Sequence, residues 1–493
     1  MNLLPFGLGK LYGEETVKEA QQWWAESAGA RGTWLILGKG RSLERVNEFD
    51  LGSFRTLSLN HVVRELSVEA ASIIDIEVVA DCGAVLDRNA RFLLMPRYPH
   101  VKTSATDRPL EGFFSEFPVL AKLSREGRLV WYNFATGKPQ PSSPQIPEGY
   151  FSGEVMVSLL ASLGARSIRT LGMDGRTSYS SHFKDIEART KLANRHSSFD
   201  LQWQGIAATV RTHGIDYAPL TTEAPIRVFV GCDDSQRLAA QVLEYSIRKY
   251  CPVSLVFDTM DDVEVPLLRH SKNQPQTDFS FKRFAIPKRA GFSGRAVYLD
   301  ADMLVLANFL ELWDIPCNGA KVLYAPSPNP RWPTQLSVLK LNCDELTWDL
   351  SAILRGLDED DYDYEGLMKK LCIEPADQVR PAIPPEWNSL ELYEPGKTGL
   401  LHYTKMMKQP WVNCKNVNGN LWVQYLKEAM TAEFVSFAEV KNAVKRGFAR
   451  PSLPVQLKLP QRLWPFFTIC IAPVIDARFR PHRKLVERLT AGI

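Results

Sequence analysis

The chain has 493 residues, enough for two or three domains with sizeable cores. Its 59 Lys and Arg residues nearly balance its 56 Asp and Glu residues, which argues against a general nucleic-acid-binding protein. Its eight cysteines are scattered singly without a Cys-x-x-Cys pair, which favours reduced thiols over a disulfide framework or a zinc site.

Two further features of the sequence concern where in the cell the protein is located. The N-terminus lacks the basic and apolar segments of a secretory signal. The longest apolar run, residues 463–475, is too short to span a membrane and contains Pro465 and Pro473. We therefore expect a protein of the cytoplasm that can also lie peripherally at the inner membrane face.

The first half begins with a polar helix predicted over Thr16–Ala28, with Thr16 and Glu19 at capping-box spacing. A buried strand, Thr33–Leu37, leads into Gly38-Lys-Gly-Arg-Ser42, which is either a phosphate-binding turn or a tight structural turn. Two more strands are predicted, at Thr56–Asn60 and Ile76–Asp81. Residues 100–150 are rich in Pro, Ser and Gly and predict long loops over a site.

A helix over Gly153–Leu163 and a strand over Ser167–Leu171, followed by Gly172-Met-Asp-Gly175, complete a β/α alternation. The alternation predicts a Rossmann-like sheet. The glycine turn, Asn60 and the Leu-Gly-Met-Asp-Gly segment together resemble the sialyltransferase-like superfamily. That superfamily includes the family 42 sialyltransferases and the motility-accessory and pterin-pyrophosphokinase-like domains.

For residues 30–218, that resemblance implies nucleotide binding by Gly38, Gly40, Ser42 and Asn60. It also implies a histidine general base. His196 in the Asn194–Asp200 segment is the candidate and His182 the competitor, and either could instead be a packed or surface histidine.

A domain boundary is predicted in the Pro-containing segment Tyr217–Pro225. The domains are then 1–222, 223–450 and a C-terminal tail, 451–493. A strand at Ile226–Val230 precedes a helix that runs through Tyr250 and that Ser235 can cap. Asp233 between them could accept from a ribose hydroxyl or a uracil N–H, or could itself be a helix cap.

The most informative stretch is Arg295–Asp302. It reads as a buried strand that ends in Asp300 and Asp302. Two carboxylates at the carboxyl edge of a sheet lie where open α/β sheets bind ligands, and they can share one Mg²⁺ or Mn²⁺. An ordinary strand-end loop with solvated acids is the alternative for this tripeptide alone.

The order of motifs after residue 226 resembles the family 8 glycosyltransferases, which have the GT-A fold. These motifs are the first-strand Asp, Arg283, Tyr-Leu-Asp-x-Asp, Asp377-Gln378, the Pro-x-x-Trp-Asn turn ending at Asn388, and His402-Tyr followed by Lys408 and Pro-Trp. The resemblance implies a transferase that uses a nucleotide sugar, usually a UDP-sugar, and retains anomeric configuration.

It also implies roles for individual residues. Asp300, Asp302 and His402 would bind Mn²⁺, or Mg²⁺. Asp233, Arg283 and Asp300 would contact the nucleotide-sugar donor, and Lys408 would hold its diphosphate. Asp377 and Gln378 would line the sugar and acceptor pocket. The sequence departs from the family pattern at Ser235, Lys405 and Gln409, the last of which lengthens the Lys-Pro-Trp spacing by one residue.

Beyond Lys441 the chain turns basic, and the aromatic-rich run 463–475 lies among its Lys and Arg residues. Such a segment either lies on an anionic membrane or packs over a domain seam. The sequence thus predicts two Rossmann-like α/β domains, the second a GT-A-type mixed sheet, and a basic amphipathic tail. The predicted function is glycosyl transfer to a glycan or glycolipid in a bacterial cytoplasm. The N-terminal domain is either a second transferase or a scaffold, binding or pyrophosphokinase-like module.

Overall fold

The computed structural model describes residues 17–102, 104–135, 145–147, 149, 151–175, 177–190, 196, 198–275, 277, 279–327 and 336–481. The chain forms two compact units. Unit one is Met1–Glu223 with Pro252–Ser254, and unit two is Ala224–Cys251 with Leu255–Ile493. Each unit is built on its own β-sheet with flanking helices, which confirms the predicted α/β class.

Unit one contains a parallel sheet with nine described strands. Its strands, in spatial order, are Lys18–Glu19, Leu129–Phe134, Ala90–Pro96, Val68–Ser72, Arg55–Leu59, Trp34–Leu37, Ser167–Leu171 and Asp216–Pro219, with Gln145–Ile146 beside Leu129–Phe134. A separate two-stranded ribbon joins His100–Val101 to Ser104–Ala105. The α-helices are Ala20–Glu26, Ile76–Asn89, Pro118–Arg125, Ser152–Leu163, Lys184–Thr190 and Gln202–His213. Strands such as Trp34–Leu37 are buried at every position, as a parallel sheet covered on both faces requires.

Several predicted elements of unit one are wrong. Ile76–Asp81 begins a helix rather than forming a strand. The β-branched residues Ile76, Val78 and Val79 at its start are typical of a strand, but the side chains that pack are Val79, Cys82 and Leu86, at helical spacing. The helix predicted from Thr16 spans only Ala20–Glu26, and Glu19 precedes it without a side-chain cap. Thr16 lies outside the described residues.

Residues 100–150 are not simply loops. They contain the helix Pro118–Arg125 and the strand Leu129–Phe134, which is buried at all six positions. The strands Val68–Ser72 and Ala90–Pro96 are likewise absent from the prediction. The helix over Ser152–Leu163 and the strand Ser167–Leu171 are confirmed, and Gly164 ends the helix in the left-handed conformation.

Unit two contains a mixed six-stranded sheet, also as predicted. Its strands in order are Leu255–Asp258, Ile226–Gly231, Arg295–Asp300, Val338–Asn342, Val322–Tyr324 and Val379–Arg380. Arg295–Asp300, here called the acid strand, is parallel to Ile226–Gly231 and antiparallel to Val338–Asn342. A smaller sheet joins Met303–Val305, Leu400–His402 and Ser389–Leu390.

The α-helices of unit two follow the chain as Arg237–Tyr250, Ile286–Arg289, Leu310–Trp313, Leu350–Asp358, Tyr364–Lys370, Gly419–Thr431, Phe437–Lys445, Leu453–Lys458, Trp464–Phe466 and Ala472–Ile475. The predicted cap of the first helix is wrong, because Ser235 lies within a 3₁₀ turn, Asp234–Gln236, and Gln236, the residue before the helix, makes no side-chain cap. Asp233 caps that turn by accepting from the Ser235 backbone N–H at 2.9 Å.

The segment predicted as a tail belongs partly to the body of unit two. Leu453, Leu457 and Trp464 are buried in one apolar cluster with Trp422 and Val440. The opposite side of residues 463–475 is exposed. No helix among the described residues is long and apolar enough to cross a membrane.

Candidate metal centre and ligand cavity

The acid strand delivers Asp300 to the carboxyl edge of the unit-two sheet. Its neighbour Ile226–Gly231 is parallel to it, with Gly231 opposite Asp300, so both strands end at the same level. The strand's interior residues, Ala296–Leu299, are fully buried, whereas Asp300 is only partly buried. A packed apolar strand therefore fixes where its terminal carboxylate lies.

His402 reaches the two aspartates through the smaller sheet. Met303–Val305, directly after Asp302, pairs antiparallel with Leu400–His402, and Met303 lies opposite His402. The His402 Nε2 atom lies 3.2 Å from Asp302 Oδ1. One ligand atom from each of Asp300, Asp302 and His402 lies within 4.8 Å of the others. The structure thus brings the three residues of the predicted metal site together, and we call them the Asp-Asp-His cluster.

The other ring nitrogen of His402 is held by Asn388. Asn388 Oδ1 lies 3.0 Å from His402 Nδ1, and both residues are buried. An acceptor at Nδ1 places the proton there, so the Nε2 lone pair faces the carboxylates. Burial lowers the pKa of His402, but the charges of Asp302 and Asp300 outweigh it and raise the pKa overall. A positive charge, either a proton or a metal ion, is therefore favoured between these three side chains.

Asp302 has a second partner that the sequence reasoning missed. The Gln409 side chain is fully buried and donates from Nε2 to Asp302 Oδ2 at 2.8 Å and to the Tyr403 carbonyl at 3.0 Å. The only sequence signal was the extra residue that Gln409 adds before Pro410-Trp411. That residue is an inserted positioning group that orients one carboxylate of the cluster.

Asp300 is oriented by Tyr298 and Arg283. The buried Tyr298 hydroxyl donates to Asp300 Oδ1 at 2.7 Å, and Arg283 Nη2 lies 3.9 Å from the same oxygen. Arg283 also donates to the backbone carbonyls of Ser280 and Leu336. The Tyr298 hydroxyl fits because Gly231 has no side chain, since a Cβ there would lie 2.3 Å from it. This buried guanidinium is a fixed cation at the edge of the cluster.

The cluster suits a hard divalent cation. Two carboxylates and one neutral imidazole form the mixed oxygen–nitrogen donor set that Mn²⁺ accepts readily, with Mg²⁺ as the alternative. Each ligand has an outer partner: Tyr298 for Asp300, Gln409 for Asp302 and Asn388 for His402. Such partners orient metal ligands. The residues present therefore fit a metal ion.

The residues predicted to contact the nucleotide-sugar donor differ in how close they lie to this cluster. Asp233 follows the strand Ile226–Gly231, so it lies at the same sheet edge as Asp300, although its carboxylate also caps the 3₁₀ turn Asp234–Gln236. Lys408 is exposed on the turn Met406–Lys408, directly before Gln409. Its contact with a diphosphate stays a prediction.

The predicted placement of Asp377 and Gln378 near the sugar needs correction. Both precede the strand Val379–Arg380, in which Val379 pairs with Val322, and Val322 with Leu341. Leu341 pairs with Ala296, near the start of the acid strand, whereas Asp300 is at its end. The register therefore places Asp377 and Gln378 at the opposite end of the sheet from the cluster.

In unit one the glycine turn, Gly38–Ser42, is locked to the segment Gly172–Gly175. Ser42 donates from its backbone N–H to Asp174 Oδ2 at 2.7 Å, and its hydroxyl also bonds to Asp174. Burial raises the pKa of Asp174. A Cβ on Gly38 would lie 2.2 Å from the Gly172 carbonyl oxygen. These glycines are thus required by the close contact of the two turns, and Ser42 serves that contact.

Beside these turns lies a cavity of about 490 Å³, here called the unit-one cavity. Gly38, Gly40 and Asn60, three of the predicted nucleotide contacts, line it, whereas Ser42 does not. His196 is half-buried, and its ring is tilted against that of Phe151, a lining residue, at a centroid distance of 5.9 Å, but His196 is not itself in the wall. His182 is exposed beside Glu65. A different histidine, His61, lines the cavity, and the sequence reasoning missed it.

Comparison with known proteins adds the following. No family model matches the chain. Protein CDI of Arabidopsis thaliana is 37% identical over 95 residues, which are 18% of this chain. The chain thus covers only 37% of the length of that curated relative.

Among solved structures, the bifunctional glycosyltransferase WbbM is 16% identical over 45% of this chain and 53% of its own, with a TM-score of 0.33. The galactosyltransferase LgtC, solved with donor and acceptor sugar analogues, is 13% identical over 41% of this chain and 96% of its own, with a TM-score of 0.30. GlyE from Streptococcus pneumoniae is 15% identical over 43% of this chain and 64% of its own, with a TM-score of 0.30.

Proposed function

We propose that unit two is a metal-dependent glycosyltransferase that moves a sugar from a nucleotide sugar, most simply a UDP-sugar, to a glycan or glycolipid with retention of configuration. One observation carries the proposal. The His402 Nε2 atom lies 3.2 Å from Asp302 Oδ1, with Asp300 beside them, at the carboxyl edge of a sheet. Three such donors at that edge form a site for a cation that in turn binds phosphate oxygens.

The proposed chemistry assigns a separate task to each residue. A bound divalent cation would neutralise negative charge on the leaving diphosphate, an effect worth several kcal/mol. Arg283, fixed by backbone carbonyls, adds a preorganised positive charge beside Asp300. Lys408 is exposed and free to approach the diphosphate, and Asp233 is placed to accept from the nucleoside. Attack by the acceptor on the same face, assisted by the leaving phosphate, needs no enzymic nucleophile.

The test is metal-dependent binding of UDP and turnover of UDP-sugars by the full chain. We expect Asp302→Ala to abolish Mn²⁺-dependent UDP binding. Asp344→Ala is the matched control, because Asp344 is an exposed aspartate that follows the neighbouring strand at the opposite end of the sheet. Unchanged UDP binding in Asp302→Ala would overturn the assignment.

For unit one, we propose a second ligand site on the same chain, with or without transfer activity of its own. The unit-one cavity supports it, since about 490 Å³ falls in the usual range of small-molecule sites. The alternatives are a second transferase with His196 as base, and a binding, scaffold or pyrophosphokinase-like module. His196 is not among the residues that line the cavity, which favours the second. Donor hydrolysis by an Asp302→Ala chain would support the first.

The outer face of residues 463–475 supports the proposed membrane contact of a cytoplasmic enzyme. Phe466, Ile469 and Val474 are 62%, 76% and 74% exposed, and Arg462 and Arg478 flank this face. An apolar face with cationic borders suits an anionic lipid surface. We expect the chain to sediment with phosphatidylglycerol vesicles and not with phosphatidylcholine vesicles. Ile469→Asp should prevent sedimentation, whereas Leu267→Asp, at an exposed site elsewhere, should not.

A further inference from the structure

The unit-one cavity contains a lysine without a carboxylate partner. Lys39 lines the cavity, with its ammonium 4.5 Å from the centre of the Tyr179 ring and 3.5 Å from Thr190 Oγ1. It forms no ion pair with any residue that the structure describes. Arg41, two residues along the same turn, is exposed and lies outside the cavity wall. Only one of the two cations of the glycine turn therefore faces a ligand space.

The acids on the same wall are largely engaged elsewhere. Asp81 accepts from His61 at 2.9 Å and pairs with Arg189 at 3.0 Å. Asp174 is bonded to Ser42, and Glu77 accepts from the backbone N–H of Lys102. These three carboxylates are thus committed to structural partners. The fourth acid on the wall, Asp75, favours the charged form of Lys39 through its own charge but forms no ion pair with it, so the Lys39 ammonium remains available to a ligand.

The helix Ser152–Leu163 begins at the same cavity. Phe151 occupies the position before its first turn and offers no side-chain cap, and Phe151, Ser152 and Gly153 all line the wall. The uncapped N–H groups of this twelve-residue helix carry partial positive charge. Together with Lys39 they form a surface suited to an anion such as phosphate.

His61 adds an acceptor to this wall. It is 1% exposed, its Nε2 faces Asp81, and its Nδ1 has no hydrogen-bond partner among the described residues. Burial lowers the pKa of His61, so the ring is neutral at pH 7. With the proton on Nε2 toward Asp81, Nδ1 is left as an acceptor. Asn60 Oδ1, also buried and without a described partner, is a second acceptor on the wall.

We propose that the unit-one cavity binds a small phosphate ester that also carries hydroxyl groups. Lys39 and the open helix end hold the phosphate. The Asp81–His61 pair and Asn60 accept hydrogen bonds from the hydroxyl groups. This assignment names the ligand class of the unit-one site proposed above and rests on that site, but it does not depend on the transferase activity proposed for unit two.

The test uses the full chain in excess EDTA, which silences metal-dependent binding at unit two. Calorimetry compares AMP, CMP and glucose-1-phosphate with adenosine, cytidine and glucose. We expect at least one ester to bind and its dephosphorylated partner to bind at least about tenfold more weakly, the usual worth of a charge-assisted hydrogen bond. Failure of all three esters to bind, or equal binding of ester and partner, would overturn the proposal.

Lys39→Met, nearly equal in volume, should weaken ester binding at least about tenfold, and Arg41→Met should not change it. His61→Leu should weaken binding of the ester while leaving binding of inorganic phosphate unchanged. Melting temperatures within the range of the wild type check that each variant folds. Equal affinity in Lys39→Met and the wild type would contradict the assignment.

A pH series gives an independent readout. Burial lowers the pKa of the Lys39 ammonium to about 8. The titratable and charged groups that face it from neighbouring elements are His61, Asp75, Asp81, Cys82, Tyr179 and Arg189. Burial raises the pKa of Asp81, but its hydrogen bonds with His61 and Arg189 outweigh burial and lower the pKa overall, so Asp81 stays charged above pH 7. Burial raises the pKa of the Cys82 thiol and of the Tyr179 hydroxyl, so both stay neutral over this range.

Lys39 loses its proton as the pH rises through about 8, so ester affinity should fall about tenfold between about pH 7 and about pH 9. The fall should be absent from Lys39→Met, which binds weakly throughout, and from Lys39→Arg, which keeps its charge. A pH-independent affinity in the wild type would count against Lys39 as the phosphate-binding group.

Discussion

Gln409 donates a hydrogen bond to Asp302 from 107 residues further along the chain, and both side chains are buried. The bond occupies Oδ2 of Asp302 and leaves Oδ1 facing His402. One inserted residue in the Lys-Gln-Pro-Trp segment thus determines which oxygen of the aspartate is available to a metal ion.

We expect Gln409→Met to weaken Mn²⁺ binding about tenfold to a hundredfold, because loss of an outer partner lets the Asp302 carboxylate rotate. Calorimetric titration with Mn²⁺ in the absence of nucleotide measures the Mn²⁺ affinity. Gln461→Met, at an exposed glutamine far along the chain, is the control. An unchanged Mn²⁺ affinity in Gln409→Met would show that Gln409 contributes only to packing and does not orient Asp302 for the metal ion.

Asn388 should act through the His402 tautomer. Asn388→Leu removes the acceptor at Nδ1, so the proton can move to Nε2 and block the metal-facing lone pair. We expect about a tenfold to hundredfold loss in Mn²⁺ affinity. Asn388→Asp still accepts from Nδ1–H and should restore most of the affinity. If Asn388→Asp bound Mn²⁺ as weakly as Asn388→Leu, the loss of affinity would reflect a disturbed fold rather than a change of tautomer.

Gly231 and Tyr298 should be coupled. Gly231→Ala places a methyl group 2.3 Å from the Tyr298 hydroxyl and should destabilise the protein by about 1–3 kcal/mol. Tyr298→Phe removes the hydroxyl, so the double variant should be more stable than the sum of the two single changes predicts. Denaturant unfolding of the three variants measures the coupling. The same methyl group would also lie 2.7 Å from a ring carbon of Phe279, so strict additivity would show that Phe279, and not the Tyr298 hydroxyl, accounts for the loss of stability.

The paired glycine turns of unit one should tolerate no side chain. Gly172 and Gly127 both have positive φ, but a Cβ on Gly172 would lie 2.1 Å from the Gly38 carbonyl oxygen, whereas nothing lies within 4 Å of one on Gly127. Gly127→Ala should cost about 1 kcal/mol of unfolding free energy from backbone strain alone. Gly172→Ala should cost at least about 2 kcal/mol, because the backbone it meets cannot move aside. Equal losses would show that the turns can separate.

Metal binding should stabilise unit two specifically. A ligand at about a hundred times its Kd stabilises the folded state by about 2.7 kcal/mol. We therefore expect Mn²⁺ to raise the melting temperature of unit two and EDTA to reverse the rise. Asp302→Ala should show neither effect. A Mn²⁺-induced rise that survived in Asp302→Ala would place the ion elsewhere.

The sequence by itself determined the α/β class and the acid strand, because an apolar run with β-branched and aromatic residues that ends in acids is typical of a buried strand. It also indicated His402 as a third ligand, but only through likeness to a family. It misread Ile76–Asp81, because a short run rich in β-branched residues fits a strand as well as the first turns of a helix. It missed the strand Leu129–Phe134, which lies within the Pro-, Ser- and Gly-rich residues 100–150.

Tertiary structure decided the rest, since outer partners come from positions that no local pattern connects. Asn388, Gln409 and Tyr298 orient the Asp-Asp-His cluster through single hydrogen bonds between distant segments. The sheet register places Asp377 and Gln378 at the opposite end of the sheet from the Asp-Asp-His cluster. In unit one, packing placed Lys39 and His61 in the cavity wall and left Arg41 and His196 outside it. Residue type reveals what a side chain can do, but burial and distance determine which of several equivalent side chains does it.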